Sequence, residues 1–128
     1  NDAALIIGDQ ALGFSKEDVS IYDLSEEWFN RTEKTFVHAV IAARQDIKVE
    51  SGIIQILLDA KQEGLQSLDT IAKIQANKTG HPIFLLRDYL NNKIRYDFGE
   101  EEMEGLRHFQ SLCHEAGLIP KKFPLRFA

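Results

Sequence analysis

The sequence predicts an α/β fold, because short apolar runs alternate with segments of helical periodicity. Three segments have strand character: the uncharged runs at residues 3–7 and 36–43, and the alternating segment at residues 94–98. Apolar residues at three- and four-residue steps predict helices between and after them. With 128 residues, 44% hydrophobic and 27% charged, the chain has the length and composition of one ordinary globular domain.

The first apolar run ends in Gly8 and Asp9, and its continuity suits a strand buried on both faces. A Gly-Asp step at the end of a strand turns the backbone sharply and aims a carboxylate into a cleft. Open α/β sheets bind ligands at the carboxyl ends of their strands, so Asp9 is the carboxylate best placed for a site. A turn-stabilising aspartate is an equally good interpretation.

A helix is predicted to begin after Asp23, which is its N-cap, with Glu26 completing a capping box and the helix running to about Thr32. The aromatic pair Trp28–Phe29 within it is expected to be half core and half surface, in preference to a ligand platform. The apolar run at residues 36–43 then carries His38. A histidine there is either a core residue with a simple hydrogen-bond partner, which is the commoner case, or a cleft residue.

Helical periodicity continues from Ile53 to Ile71, with Gly64 as the expected kink, and breaks at residues 77–82. A short helix is predicted at residues 83–90. The last helix begins at three glutamates, residues 100–102, whose charge suits the positive end of the helix dipole. Gly117 followed by Pro120 predicts its end.

Composition and charge exclude several function classes. The net charge is −5 and no basic stripe is present, so a nucleic-acid surface is not expected. No run approaches the roughly 20 apolar residues of a membrane span. The start lacks a secretory leader and resembles the edge of a strand, as if the chain began partway through a protein. A lone cysteine, Cys113, on an apolar helix face suits a structural thiol in a reducing, cytoplasmic compartment.

Known chemical motifs are absent from the sequence, including those for phosphate loops, dinucleotide binding, zinc proteases and redox thiols. His108 and His114 are six residues apart and do not share a helical face, so a zinc site is not expected there. From the residues alone, the prediction is an α/β domain that binds a small molecule.

Four ordered segments resemble the chorismate dehydratase family of the futalosine route to menaquinone. They are Ile-Gly-Asp-x-Ala-Leu at residues 7–12, Tyr-Asp-Leu-x-Glu-x-Trp at 22–28, Phe-Val-x-Ala-Val at 36–40, and Tyr-Asp-Phe-Gly at 96–99 followed by Ala-Gly-Leu-Ile-Pro at 116–120. Together they span nearly the whole chain.

The chain departs from that family's pattern in three places. The family usually has Thr-Gly-Leu-Pro-Phe where this chain has Thr-Glu-Lys-Thr-Phe at residues 32–36. Ser25 replaces a glycine, and Ile41 replaces a common tryptophan.

The resemblance implies a type II periplasmic-binding-protein-like fold, with two α/β lobes around a cleft. Residues 1–35 would form the end of the second lobe. Residues 36–128 would form the return crossing of the hinge and the closing helices of the first lobe. The amino-terminal half would be missing, which implies pairing with that half or self-association through uncovered apolar faces.

The resemblance also implies the reaction: loss of water from chorismate, an anionic substrate, to give 3-[(1-carboxyvinyl)oxy]benzoate without a metal or organic cofactor. The family's catalytic residues, an Asn and a Ser, lie in the half that this sequence lacks, so no catalytic residue is assigned. Gly8 and Asp9 match a cleft-lining motif and are expected to contact substrate. Phe36 and His38, near the hinge, are the other expected contacts.

Two alternatives stay open. A non-catalytic module that binds a small anionic solute on the same fold is favoured by the altered segment at residues 33–35 and by Ile41. The related dihydroxynaphthoate synthase is the other, although the Phe-Val-x-Ala-Val run at residues 36–40 resembles the dehydratase more closely.

Overall fold

The computed structural model of the chain describes residues 3–14, 17–44 and 46–126. Their contacts define two compact units. The first unit comprises the described parts of Asn1–Asp18 and Ala43–Arg95, and the second comprises the described parts of Val19–Ala42 and Tyr96–Ala128. In chain order the helices are α1 (Asp9–Leu12), α2 (Leu24–Thr32), α3 (Ser51–Gln66), α4 (Leu68–Thr79), α5 (Ile83–Asp88), a π-helical segment (Tyr89–Lys93) and α6 (Glu100–Glu115).

The long periodic stretch in the first unit forms two helices. The break between α3 and α4 lies at Ser67, whose φ of −108° and ψ of 8° leave the helical region. Gly64 is the third-last residue of α3, and its carbonyl accepts the Ser67 N–H at 3.0 Å. The predicted kink at Gly64 is therefore wrong by three residues.

The contact between α4 and α5 forms the small core of the first unit. Ala72 is fully buried and Leu86 is 4% exposed. At the edge of this contact, one Asp69 carboxylate oxygen lies 2.6 Å from the Arg87 guanidinium and the other lies 2.7 Å from the Lys73 ammonium. The Asp69 carboxylate thereby joins the two helices through charge-assisted hydrogen bonds.

Glycines end two of the helices, as the sequence predicts. Gly80 follows α4 with a φ of 77°, and its N–H donates to the Ala76 carbonyl at 2.9 Å. After α6, Gly117 has a φ of 72°. The Leu118 N–H reaches back to the Cys113 carbonyl at 2.8 Å, which completes a Schellman motif.

In the second unit, α6 packs against the chain that follows α2. Gly105 of α6 is buried, and its backbone lies so close to the Thr35 carbonyl that a Cβ at this position would overlap the carbonyl oxygen. One residue earlier on each side, the Lys34 ammonium lies 2.7 Å from the Glu104 carboxylate. The absence of a side chain at Gly105 therefore allows the backbone at Thr35 to lie directly against α6.

The three segments predicted as strands are non-helical, and none of the residues described is assigned to a strand. Strand assignment requires a paired neighbour, so the α/β class and the lobe boundary at residues 35 and 36 stay predictions. The burial expected for the first of these segments, by contrast, can be compared with the structure directly. Leu5 and Ile7 are 74% and 72% exposed, so the expectation that residues 3–7 are buried on both faces is wrong for this chain.

Replacing Glu33 with glycine should stabilise the second unit by about 1 kcal/mol, since Glu33 follows α2 in the left-handed region, with a φ of 55°, where a side chain is unfavourable. The same change at Glu27, inside α2, should destabilise by about 1 kcal/mol. Urea unfolding followed by the fluorescence of Trp28, the single tryptophan, measures both free energies. Loss of stability in Glu33→Gly would show that position 33 is not strained.

Gly105→Ala should destabilise the chain by about 1–3 kcal/mol, the usual range for overpacking, because the new methyl group overlaps the Thr35 carbonyl. Gly64→Ala is the matched control, because it makes the same change in a helix where no atom lies within 4 Å of the new Cβ. Helix propensity alone then predicts a gain of about 1 kcal/mol. Thermal unfolding followed by circular dichroism compares them. Equal effects of the two variants would contradict the close approach.

Candidate functional site

Three aromatic rings pack together in the second unit: Trp28 of α2, Phe36 of the extended segment and Phe109 of α6. We call these three residues the aromatic cluster. Their ring centroids are 5.4–5.7 Å apart and each pair meets edge to face. Such pairs add to the stabilisation that burial gives. The cluster therefore fixes the segment that begins at Phe36 on the two helices of this unit.

Trp28 belongs to the packing of the second unit and is not an open ligand platform. Its side chain is half-buried, while its neighbour Phe29 is 56% exposed, as the sequence predicts for this pair. The indole N–H is buried without a hydrogen-bond partner in the part of the chain that the structure describes. A ligand at the surface does not reach this donor in the present conformation.

His38 extends from the aromatic cluster to the surface. Its ring meets Phe36 at 5.1 Å and 82°, and its Nε2 lies 2.9 Å from the Ser25 hydroxyl. His38 is an exposed residue. The interpretation of His38 as a core histidine is therefore wrong, because the extended segment presents this position to solvent.

The first turn of α2 lies beside His38. The Asp23 carboxylate accepts the Ser25 N–H at 2.8 Å and the Glu26 N–H at 3.2 Å, which confirms Asp23 as the N-cap. These backbone hydrogen bonds, that of Glu26 first, lower the pKa of Asp23, and the Ser25 hydroxyl and the nearby His38 add smaller effects in the same direction. Asp23 is thus held as a carboxylate next to the Ser25–His38 contact.

The residues that depart from the family pattern make contacts of their own. Lys34 hydrogen-bonds Glu104 of α6, and this ammonium lowers the pKa of the Glu104 carboxyl. Thr35 provides the carbonyl that lies against Gly105. This segment therefore acts as a packing element between α2 and the aromatic cluster.

Gly8 and Asp9 lie in the first unit, at the start of the four-residue helix α1. Gly8 has a φ of 67° and a ψ of −148°, a conformation essentially restricted to glycine. Its carbonyl accepts the Ala11 N–H at 2.9 Å. The sharp turn predicted at Gly8 is confirmed, and Asp9, which follows it, is exposed.

The four residues predicted as substrate contacts thus form two pairs. Gly8 and Asp9 are adjacent in the first unit, while Phe36 and His38 are in contact in the second. Their role as substrate contacts stays a prediction. Ser25 was missed as a member of the site, and its only sequence signal is that it stands where a glycine is usual.

Within residues 3–14, 17–44 and 46–126, no three His, Cys, Asp or Glu side chains gather as metal ligands. The cysteine, Cys113, is half-buried in α6. Over the same described ranges, each helix lacks either the length or the apolar character needed to cross a bilayer.

Comparison with known proteins identifies the family. Residues 1–115 match a family model described as menaquinone biosynthesis. The chain belongs to this menaquinone biosynthesis family. The resemblance predicted from the four ordered segments is thereby confirmed.

A curated relative of this menaquinone biosynthesis chain is the chorismate dehydratase of Thermus thermophilus. It is 40% identical over 93 residues, which make up 72% of this chain and 34% of the relative. The chain thus matches about a third of the length of that relative. No solved structure matches the chain.

Asp23→Ala should lower the free energy of unfolding by about 1 kcal/mol at neutral pH, because the N-cap is lost. Asp23→Asn should lower it little, because asparagine is also a good N-cap. The pKa of Asp23 is lowered in the folded chain, so the ionised cap stabilises above its unfolded pKa and the benefit is lost as the pH falls through the folded pKa. Urea unfolding at several pH values measures this. A difference in unfolding free energy between the unmodified chain and Asp23→Ala that stays constant down to pH 2 would contradict this prediction.

Proposed function

We propose that this chain forms part of an enzyme that removes water from chorismate to give 3-[(1-carboxyvinyl)oxy]benzoate in the futalosine route to menaquinone. The observation that carries the proposal is the 40% identity to a chorismate dehydratase within the menaquinone biosynthesis family. Since the chain matches only 34% of that relative, the 128-residue chain by itself should be inactive.

We also propose the two-lobed α/β fold for the complete enzyme, with residues 1–35 and 36–128 contributing to different lobes. Exposed apolar side chains in the extended segments support it. Leu5, Ile7 and Ile41 are 74%, 72% and 81% exposed, which suits strands whose partners lie in the rest of the enzyme. The same exposure favours pairing with that remaining part, or self-association when it is absent.

Dehydration needs a base that takes a proton and a leaving hydroxyl that is held in place. We propose Gly8, Asp9, Phe36 and His38 as substrate contacts in that reaction. Asp9 and His38 are exposed and carry polar atoms, and Phe36 fixes the ring of His38 through an edge contact at 5.1 Å. Neither a metal nor an organic cofactor takes part in the proposed reaction, and we place it in the cytoplasm.

A non-catalytic module that binds a small anionic solute is the second candidate. The sequence features that favour it are the altered segment at residues 33–35 and Ile41. The related dihydroxynaphthoate synthase is a third candidate, which shares the pathway and differs in substrate.

Incubating the full-length protein that carries this sequence with chorismate, and following the products by mass spectrometry, tests the proposal. We expect loss of one water with the full-length protein and unchanged chorismate with the 128-residue chain. Saturable binding without turnover would favour the binding module, and no binding would exclude chorismate as substrate or ligand.

The variant Asp9→Ala tests the proposed substrate contact within the same assay. We expect kcat/KM to fall at least about tenfold, the order expected when one hydrogen bond to a charged group is lost. Glu63→Ala is the matched control, because Glu63 is an exposed carboxylate on α3 outside the proposed contacts. Equal activity of the two variants would remove Asp9 from the site.

A further inference from the structure

The connection between α4 and α5 in the first unit is a short turn that is fixed at both ends. The Gly80 N–H donates to the Ala76 carbonyl at 2.9 Å, and the Pro82 carbonyl accepts the Leu85 N–H at 3.0 Å. The two helices that the turn joins contribute the buried side chains of this unit. His81, the middle residue of the turn, is therefore held by the core of the first unit.

The imidazole of His81 lies against Gly13, the residue that follows α1. A Cβ placed on Gly13 would lie 3.2 Å from Cε1 and 3.3 Å from Nδ1 of His81. Both distances are shorter than the optimal separation of nonbonded carbon atoms, so the ring occupies the space that a side chain at position 13 would take. The backbone itself does not require glycine, because Gly13 has a φ of −109° and a ψ of 11°.

Helix α1 has little packing of its own to hold it in place. It comprises four residues, and none of them is buried. An isolated helical turn of this length is not stable in water. Asp9 is its first residue, and a rise of about 1.5 Å per residue places Asp9 about 6 Å from Gly13 along the helix axis. A contact at Gly13 therefore limits where the Asp9 carboxylate can lie.

We propose that His81 is a positioning residue for Asp9. Its ring, packed against Gly13, holds α1 on the turn between α4 and α5 and thereby fixes the carboxylate that we assign to the substrate. A contact that is ordered before the substrate arrives avoids the free-energy cost of ordering it on binding. The inference deepens the proposed function and rests on it for the identity of the substrate.

The first experiment measures the order of the backbone amides by nitrogen-15 relaxation on the 128-residue chain. We expect the Ala11 amide of α1 to be as ordered as the Ile71 amide of α4, and to become mobile in His81→Ala. The variant His81→Phe keeps an aromatic ring and should keep the order of α1. His114→Ala is the matched control, because it removes an exposed imidazole from the second unit.

An α1 that stays ordered in His81→Ala would overturn the proposal. Equal loss of order in His81→Phe and His81→Ala would also overturn it, because packing of the ring would then not be the cause.

The variant Gly13→Ala perturbs the same contact from the other side. Its methyl group should displace the ring and raise the mobility of α1, but it should add nothing once His81 is alanine. Independent effects of the two substitutions would contradict the contact. Gly13→Ala also keeps the proposal testable if His81→Ala unfolds the first unit, which circular dichroism detects.

The second experiment measures kcat/KM for chorismate in the full-length protein that carries this sequence. A misplacement of about 1 Å can lower a rate by up to about a hundredfold, and we expect His81→Ala to lower kcat/KM about tenfold. In the Asp9→Ala background, His81→Ala should have no further effect, because the group that it positions is absent. A general loss of folded protein would lower activity equally in both backgrounds, and that result would overturn the proposal.

The inference and the proposed function fail separately. No turnover by the unmodified full-length protein would refute the proposed substrate, and the order of α1 would still decide whether His81 holds Asp9. Unchanged kcat/KM in a His81→Ala variant whose α1 has become mobile would place Asp9 outside the substrate site and contradict the inference.

Discussion

The second unit depends on the close approach between Gly105 of α6 and the Thr35 carbonyl. Because the backbone at Thr35 lies directly against the surface of α6, this contact fixes the position and direction of the residues that follow. Phe36 comes next, and its ring packs edge to face against the rings of Phe109 and Trp28. His38 is two residues further on, and in an extended chain alternate residues face the same side. The packing at Gly105 therefore leads, through Phe36, to the contact between His38 and Ser25.

Ionised carboxylates have different structural roles in the two units. In the first unit, Asp69 joins α4 to α5 through Arg87 and also pairs with Lys73 of its own helix, and these two cations lower the pKa of the exposed Asp69 carboxyl. Exposed pairs of this kind give limited stabilisation, since water and salt screen them. In the second unit, Asp23 is held ionised by backbone N–H groups, which are fixed in place and cannot move away.

Local signals allowed the helix ends to be predicted. Asp23 caps α2 and Gly80 and Gly117 end α4 and α6 because capping depends on neighbours within one turn. The break at Ser67 was missed, since neither glycine nor proline marks it. Contacts between segments that are distant in sequence carry no such signal. In the sequence Gly105 is an ordinary glycine within a helix, and only the structure shows that Thr35 lies against it. The contact between Ser25 and His38, and the exposure of His38, depend on that same long-range packing.

The departures from the family pattern bear on the choice between enzyme and binding module. Glu33 occupies a left-handed position where the family has glycine, which costs conformational energy. Of its two neighbours, Lys34 binds Glu104, and Thr35 contributes its backbone carbonyl to the contact with Gly105. The altered segment thus contacts α6 through one side chain and one backbone carbonyl. The Lys34 side chain already has a partner within the second unit, so its presence gives no separate reason to infer an altered ligand.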